Sequence, residues 1–327
     1  MKQKRFELDM CSGPLLGKTL VFALPLMLSG ILQLLFNAAD MIVVGHANGP
    51  KALAAVGATS SLINLLINLF MGLSVGANVL VAHFFAAKQE KDCNETVHTA
   101  ISVSIISGFF LAIVGVILAR PLLTLMGTPT DVLNKSVLYM RIYFLGMPVV
   151  LLYNFGSAIL RAIGDTKRPL LYLSLAGILN VILNLVFVLI FDMNVAGVAL
   201  ATVLSQALSA FLIIRCLTMT DGYCKLNIKA LSVQKEKLLK MVKIGLPAGL
   251  QGSLFSISNV LIQSSVNSFG SVAMAGNTAC SNLEGFVYNA MNAIHQTALT
   301  FSSQNYGGKQ YKRIKKVIVL NVLTKML

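Results

Sequence analysis

Charge is scarce in this sequence of 327 residues. Lys, Arg, Asp and Glu together make up 12% of it, whereas soluble domains carry about 25%. The scarcity is concentrated, because none of these residues occurs from Leu53 to Phe85 or from Pro169 to Phe191. A helix of about 20 apolar residues crosses the ~30 Å hydrocarbon core of a bilayer. The distribution argues against a soluble domain and predicts an all-α polytopic membrane protein.

Cysteine and histidine patterns are sparse as well. The five cysteines show none of the spacings of a disulfide framework or a zinc site, and the His-Glu-x-x-His motif is absent. No nucleophile–base pair stands near a predicted membrane surface. A membrane-embedded enzyme therefore lacks its sequence signature. We expect no enzymatic activity, no cofactor and thiols that remain reduced.

Hydropathy predicts eight complete spans and the start of a ninth. The eight cover about residues 19–44, 53–83, 97–119, 136–159, 170–191, 195–217, 244–267 and 271–302, and the ninth begins near residue 317.

The basic residues are divided unevenly between the two sides of these spans. When the connections are assigned alternately, 21 of the 26 basic residues fall on the side of the N-terminus. The other side holds Lys51, Arg120, Lys135 and Arg141. This bias predicts a multi-pass plasma-membrane protein whose N-terminus is cytoplasmic. The net charge of +14 then faces anionic lipid, and we do not expect nucleic acid as a partner.

A short motif occurs twice along the chain. Leu24-Pro25-x-x-Leu28-x-Gly30 returns as Leu246-Pro247-x-x-Leu250-x-Gly252, and each copy opens a pair of apolar stretches that ends in a basic turn. The two ends also match, with FAAKQ at 85–89 and YGGKQ at 306–310. Six spans, an even number, separate the copies, so the repeat is parallel, as in many secondary transporters.

The repeat predicts two six-helix lobes. Residues 1–217 would form the N-lobe, 218–242 a linker between the lobes and 243–327 a partial C-lobe. A second lobe matching the first would bring the chain to roughly 440 residues and twelve spans. We therefore expect a C-terminally truncated second lobe.

An acid interrupts the first span. Asp40 lies toward the outer end of that span, and a carboxylate at mid-membrane costs about 2.5–3.5 kcal/mol on insertion scales. One interpretation is a site for a cation or a proton. The alternative is that Asp40 is shallow enough to reach headgroups or to cap the loop at Gly45-His46.

Two polar pairs stand at helical spacing in later spans. Asn180 and Asn184 share one face of the fifth span, and Thr202 and Gln206 share one face of the sixth. Spacing alone leaves both interhelical hydrogen bonds and a ligand site open.

The eighth predicted span carries a second acid, Glu284. It could act as a proton carrier, a substrate counter-ion or a packing residue. His295 follows eleven residues later, too far away to share one metal site. Elsewhere, Gly72-x-x-x-Gly76 permits close helix approach, and Pro25, Pro148 and Pro247 can kink their helices.

Four motifs together resemble the MATE (multidrug and toxic compound extrusion) family. They are LRAIGDTKRPL at 160–170, QLLFNAADMIVVG at 33–45, ALATVLSQ at 199–206 and SQNYG at 303–307. The resemblance extends over essentially the whole chain, and the motifs occur in the family's order.

The resemblance implies two lobes around a central cavity and efflux driven by inward Na⁺ or H⁺. It further implies that a cation or proton site is formed by Asp40, Asn180, Asn184 and Thr202. From the residues themselves, we also expect Asn37, Gln206 and Glu284 at the substrate cavity, or Glu284 as a second acid. Asn184 departs from the pattern, because many members have a carboxylate there. Losing that charge should weaken Na⁺ binding, which favours proton coupling.

The sequence thus predicts a monomeric secondary antiporter that exports drugs or organic cations in exchange for H⁺ or Na⁺ by alternating access. Two alternatives remain open. One is a lipid-linked oligosaccharide flippase of the same two-lobe plan, which generally needs several cationic residues inside its cavity. The other is a transporter fragment without activity.

Overall fold

The computed structural model describes residues 8–128, 130–220, 222–267 and 271–326. Within these ranges the chain is helical and contains no β-strand. The helices are α1 (Leu15–Ala86), α2 (Glu90–Leu125), α3 (Thr130–Leu145), α4 (Met147–Ala162), α5 (Lys167–Leu185), α6 (Asn194–Met219), α7 (Lys235–Asn267), α8 (Ser271–Gly307) and α9 (Tyr311–Met326). The predicted all-α membrane fold is confirmed.

Helix α1 folds back on itself as two arms. Its helical assignment runs without interruption, yet both of its ends lie at one end of the bundle. Cys11, just before α1, lies against Gly308, and the backbone of His83 near the end of α1 lies against Gly307. The apolar arms are Leu15–His46 and Ala55–Ala86, which correspond to the first two predicted spans.

The end of the bundle where these segments meet is called here the N-terminal face. Besides Cys11, His83 and Gly308, it includes the α4–α5 turn, where Gly164 packs against Leu8. Asn305 also donates a hydrogen bond of 3.1 Å to the backbone oxygen of Met10 at this face.

Five helical segments are long and apolar enough to cross a membrane, and a bent pair makes a sixth. The five are Leu15–His46, Ala55–Ala86, Glu90–Leu125, Lys167–Ile190 and Asn194–Met219, and the pair is Val132–Leu145 with Met147–Ala162. They match the first six predicted spans. Helices α7, α8 and α9 occupy the positions of the last three, but they are not among the segments that meet this criterion in the described residues.

The bent pair breaks at Gly146, beside one of the three prolines predicted to kink. Its two halves differ in direction by 49°. The α4 side begins with Met147 and Pro148, and α2 packs closely there, because a Cβ on Gly108 would overlap the backbone of Pro148. Proline lacks the amide hydrogen that would continue the helix, which accounts for a bend at this position. The helical assignment continues through Pro25 and Pro247.

The two copies of the repeat pack against each other reciprocally. A Cβ on Gly30, in the first copy, would lie 2.6 Å from the Asn289 amide oxygen on α8. A Cβ on Gly252, in the second copy, would lie 3.6 Å from Asn68 on the second arm of α1. Gly30 and Gly252 are equivalent positions of the motif. The contact of the first arm of α1 with α8 is therefore equivalent to the contact of α7 with the second arm of α1. This exchange is what an approximate two-fold axis between the two copies requires.

Four glycines form a close crossing in this interface. Gly72 and Gly76 of α1 face Gly245 and Gly249 of α7, and a Cβ at any of them would meet the backbone of the other helix. The predicted close approach at Gly72-x-x-x-Gly76 therefore occurs, and its partner is a second glycine pair at the same spacing.

Residues 222–234 lead into α7 along the N-terminal face. They contain one 3₁₀ turn at Ile228–Ala230. Helix α7 begins at Lys235, inside the range predicted for the linker, so residues 235–240 form the first turns of α7.

We predict that Gly245→Ala destabilises the protein and that Gly252→Ala does not. At Gly245 the new methyl group would lie 2.6 Å from the backbone oxygen of Gly72, which cannot move aside, whereas at Gly252 its nearest neighbour is 3.6 Å away. Overpacking of this kind costs about 1–3 kcal/mol. Thermal unfolding in detergent should show a lower midpoint for Gly245→Ala alone. Equal midpoints for the two variants would contradict the crossing described here.

Candidate functional site

Asp40 lies inside the bundle and faces two other helices. Asp40 is 8% exposed. The Asn184 amide on α5 donates a hydrogen bond to Asp40 Oδ1. The Thr202 hydroxyl on α6 lies 3.4 Å from Asp40 Oδ2 and 3.0 Å from the backbone oxygen of Val198, so one proton serves two acceptors. The alternative position of Asp40 as a cap of the loop at Gly45-His46 is not the one adopted.

Asn180 closes the cluster from the next turn of α5. Its Oδ1 accepts a second hydrogen bond from Asn184 at 3.2 Å, and its Nδ2 lies 3.5 Å from Thr202 Oγ1. Asn184 is fully buried, and its Oδ1 has no hydrogen-bond partner among the described residues. All four residues that the resemblance assigns to the cation or proton site therefore meet in one place.

Local sequence explains why α5 presents both asparagines to Asp40. Residues 180 and 184 are one helical turn apart and so share a face. About one turn before Asn180 on α5, Phe36 of α1 fills the space that a Cβ on Gly177 would occupy. This contact fixes the position of α1 along the axis of α5. Shortly after Asn184 the helix widens into a π-helical turn, Val186–Ile190, a feature common near functional sites.

A cavity of about 240 Å³ opens beside this cluster. The predicted cavity residues Asn37 and Gln206 line it, together with Asp40, Asn180 and Thr202. Its wall contains no Lys or Arg among the described residues. The described lining is Gln33, Phe36, Asn37, Asp40, Ile67, Met71, Tyr139, Tyr143, Val150, Tyr153, Asn154, Leu173, Ala176, Gly177, Asn180, Thr202, Ser205 and Gln206.

Sequence reasoning missed two tyrosines at this site. Tyr139 and Tyr143 of α3 stack with ring centroids 6.2 Å apart and an interplanar angle of 24°. They line both the larger cavity and a smaller one of about 160 Å³, and Asp40 and Asn37 line both cavities as well. Their i, i+4 spacing was a signal of one shared helix face, but nothing in the sequence showed which helix they would meet.

Glu284 is not brought to this cluster. It is exposed on α8 and is absent from the described lining of both cavities. His295 is also exposed, farther along the same helix. In the described residues, no group of three or more His, Cys, Asp and Glu side chains has the arrangement of a metal site.

The cluster has the types of side chain that a small cation takes as ligands. Asp40 supplies the only ionisable side chain among the four, and its described hydrogen-bond donors are a neutral amide and a neutral hydroxyl. Asn184 uses its amide group as a donor while its oxygen remains without a partner. Carboxylate, amide and hydroxyl oxygens are the hard ligands that ions such as Na⁺ take, and a proton would neutralise the same carboxylate.

The motif at 160–170 has a different role, in positioning α5. Asp165 is 1% exposed, pairs with the Arg168 guanidinium and accepts a hydrogen bond of 3.1 Å from the Arg168 backbone amide. Burial raises the pKa of the Asp165 carboxyl, and Arg168 opposes that shift. Arg168 also donates to Cys216 Sγ at 3.1 Å, which ties the start of α5 to α6.

Comparison with known proteins identifies relatives over most of the chain. The profile of the MatE family matches residues 25–186 and 247–327. The probable multidrug resistance protein YoeA of Bacillus subtilis is 30% identical over 310 residues, which cover 92% of this chain and 67% of YoeA. The multidrug export protein MepA of Staphylococcus aureus is 25% identical over 267 residues, which cover 80% of this chain and 58% of MepA. The chain thus spans about two thirds of YoeA and less of MepA.

Solved structures show the same fold. A MATE protein in the bent conformation superposes with a TM-score of 0.86 at 24% identity, and the match covers 94% of this chain and 69% of that one. A MOP superfamily transporter from Pyrococcus furiosus gives a TM-score of 0.89 at 24% identity, covering 96% and 70%. At such identity the likeness concerns the fold alone.

We predict that Asn184→Asp strengthens Na⁺ binding at this cluster. The substitution removes the amide donor to Asp40 and adds a second negative charge. Opposite charges about 4 Å apart attract each other by about 4 kcal/mol at an effective dielectric constant of 20. The added carboxylate should therefore make a Na⁺ ion between residues 40 and 184 bind at least about tenfold more tightly. Calorimetric titration of the purified protein with Na⁺ at neutral pH would measure the change.

Asn154→Asp is the matched control for this substitution. Asn154 lines the same cavity, and its amide donates to the backbone oxygen of Val150 rather than to Asp40. An equal gain in Na⁺ affinity in both variants would mean that charge in the cavity is enough, which would contradict a site centred on Asp40.

Proposed function

Because the chain belongs to the MATE family of multidrug efflux transporters, we propose that it is a secondary antiporter that exports drugs or organic cations in exchange for H⁺ or Na⁺. One observation carries the proposal. A buried carboxylate, Asp40, forms part of the wall of a cavity of about 240 Å³ and is surrounded there by neutral donors.

Competition for that single negative charge would couple the two fluxes. A cation or proton bound at Asp40 neutralises the cavity wall, so a cationic substrate loses its electrostatic partner. Without the ion, the carboxylate attracts the substrate. The ion and the substrate then weaken each other's binding by the same factor, as thermodynamic linkage requires.

Of the two ions, we propose H⁺. The cluster of Asp40, Asn180, Asn184 and Thr202 carries one negative charge at most, because Asn184 is an amide. A single carboxylate is enough to bind one proton, whereas each additional anionic ligand strengthens the binding of a Na⁺ ion. Proton coupling is therefore the better match to the residues present.

Alternating access is the proposed cycle, with a cytoplasmic N-terminus in the plasma membrane. The excess of basic residues at the N-terminal face supports this orientation. The reciprocal packing of α1 against α7 and α8 supports rocking of an N-lobe, residues 1–217, against a C-lobe that begins near residue 243. Protonation of Asp40 from the outer side would then release the substrate outward from a monomeric transporter.

A flippase for lipid-linked oligosaccharides is less well supported. Such a protein must accommodate phosphate groups inside its cavity, where arginine and lysine are the usual partners. The described lining of the cavity beside Asp40 contains neither residue. The cavity is instead lined by tyrosines, amides and aliphatic side chains, which suit an organic cation.

Dye efflux tests this proposal. Cells that express the protein should accumulate less of a fluorescent lipophilic cation than vector controls, and a protonophore should abolish the difference. Asp40→Asn should lose at least about tenfold in efflux rate, because removal of the carboxylate eliminates the coupling charge. A rate unchanged by Asp40→Asn would contradict the assignment.

Asp192→Asn provides the matched control. Asp192 is exposed in the α5–α6 turn and has a positive φ of 49°, a conformation that asparagine adopts readily. This variant should transport as the wild type does. If the wild type itself exports no dye while Na⁺ or H⁺ still binds at Asp40, the chain is a fragment without transport activity.

A further inference from the structure

Two cysteines from distant parts of the sequence lie in contact at the N-terminal face. The sulfur atoms of Cys93 and Cys224 are 3.4 Å apart, and the residues are separated by 131 positions in the sequence. Cys93 lies in the first turn of α2, and Cys224 lies in the segment that joins α6 to α7. Both are buried, at 0% and 2% exposure.

This contact lies within a longer attachment between α2 and the connecting segment. Residues 224–237 are called here the strap. The Asn94 amide donates to the backbone oxygen of Lys225 at 3.0 Å, and the Asn227 backbone amide donates to His98 Nε2 at 3.1 Å. Consecutive turns of α2 thus hold consecutive parts of the strap, and both of these contacts follow the thiol pair along α2 and along the strap.

The attachment continues to the start of α7. The Gln234 backbone amide donates to Thr99 Oγ1 at 3.1 Å, and Lys237 is 3% exposed and pairs with Asp92. The Lys237 ammonium group also lies 4.8 Å from the centre of the Phe84 ring. These contacts keep the two sulfur atoms in place while both cysteines are reduced.

We propose that Cys93 and Cys224 form a redox site, at which a hydroperoxide or a small-molecule disulfide converts the two thiols into a reversible disulfide that fastens the strap to α2. A cysteine pair on the cytoplasmic side is normally reduced, and disulfides there are usually transient and linked to redox sensing. The two sulfur atoms already touch, so only a small movement is needed to form the bond.

Hydrogen peroxide can serve as the two-electron oxidant. One thiolate attacks a peroxide oxygen, the O–O bond breaks, and a sulfenic acid and water form after proton transfer. The second thiol attacks the sulfenic sulfur, the S–O bond breaks, and the disulfide and a second water form. The two cysteines lose two electrons and two protons in total, and the peroxide is reduced to two molecules of water. A dithiol reductant reverses the change.

The disulfide would act far from the cluster at Asp40. Asp40 lies 25 residues along α1 from Leu15, or about 37 Å at a rise of 1.5 Å per residue. The covalent bond would instead restrict the segment that joins α6 to α7. The redox site does not depend on the proposed transport function, and its test requires no transport.

The experiment is oxidation of the full chain in lipid nanodiscs, one molecule per disc. After treatment with hydrogen peroxide and labelling with a maleimide under denaturing conditions, the wild type should lose two of its five labelled thiols. Dithiothreitol before labelling should restore all five. Cys93→Ser and Cys224→Ser should each keep all four of their remaining thiols, because the partner has nothing to pair with. Retention of five labelled thiols in the oxidised wild type would overturn the proposal.

Peptide mapping identifies the linked pair. Cys216 and Cys224 fall in one tryptic peptide, so Cys216→Ser is used as the background, and the linked fragments expected are 92–135 and 216–225. Cys11→Ser serves as the matched control, since Cys11 lies at the same face but touches neither sulfur of the pair among the described contacts. It should still form the link. A linked peptide that lacks Cys93 or Cys224, or thiol loss that persists in Cys93→Ser, would refute the site.

Discussion

A carboxylate inside a bilayer must be solvated by the protein itself, and the arrangement of α1, α5 and α6 follows from that need. Asp40 receives its hydrogen bonds from Asn184 and Thr202, so three helices converge at one height. The contact of Phe36 with Gly177 fixes this height one turn below. An isolated charge at mid-membrane costs several kcal/mol, and this network reduces that cost without supplying a counter-charge. The negative charge of Asp40 that remains uncompensated favours the binding of a cation or a proton.

The two repeat copies pack reciprocally, and the helix that carries Asp40 takes part in this packing. Gly30 against Asn289 and Gly252 against Asn68 are equivalent contacts, and Asn78 meets Thr300, a residue 222 positions later, at 3.0 Å. Glycine backbones at the α1–α7 crossing bring the two copies together without long side chains between them. Asp40 belongs to the first arm of α1, and α7 packs against the second arm. A change of charge at Asp40 therefore acts on the helix that also forms the interface between the copies.

Much of this could be predicted from the sequence, because the information was local or repeated. Hydropathy predicted the first six spans, the recurring Leu-Pro motif predicted the repeat, and the family resemblance predicted the Asp40 cluster. The rest depended on which distant segments meet. Tyr139 and Tyr143 looked like any i, i+4 pair, and nothing near Cys93 indicated Cys224. Glu284 shows the converse, since an acid in a span suggested a cavity residue but lies exposed on α8.

The central claim is that substrate and proton exchange at one carboxylate, and proton release on substrate binding tests it most directly. Purified protein in weakly buffered detergent would be mixed with tetraphenylphosphonium while a pH indicator records the change. The account predicts release of close to one proton for each cation bound by the wild type, and none by Asp40→Asn. Binding of the cation by the wild type without any proton release, in the absence of Na⁺, would contradict it.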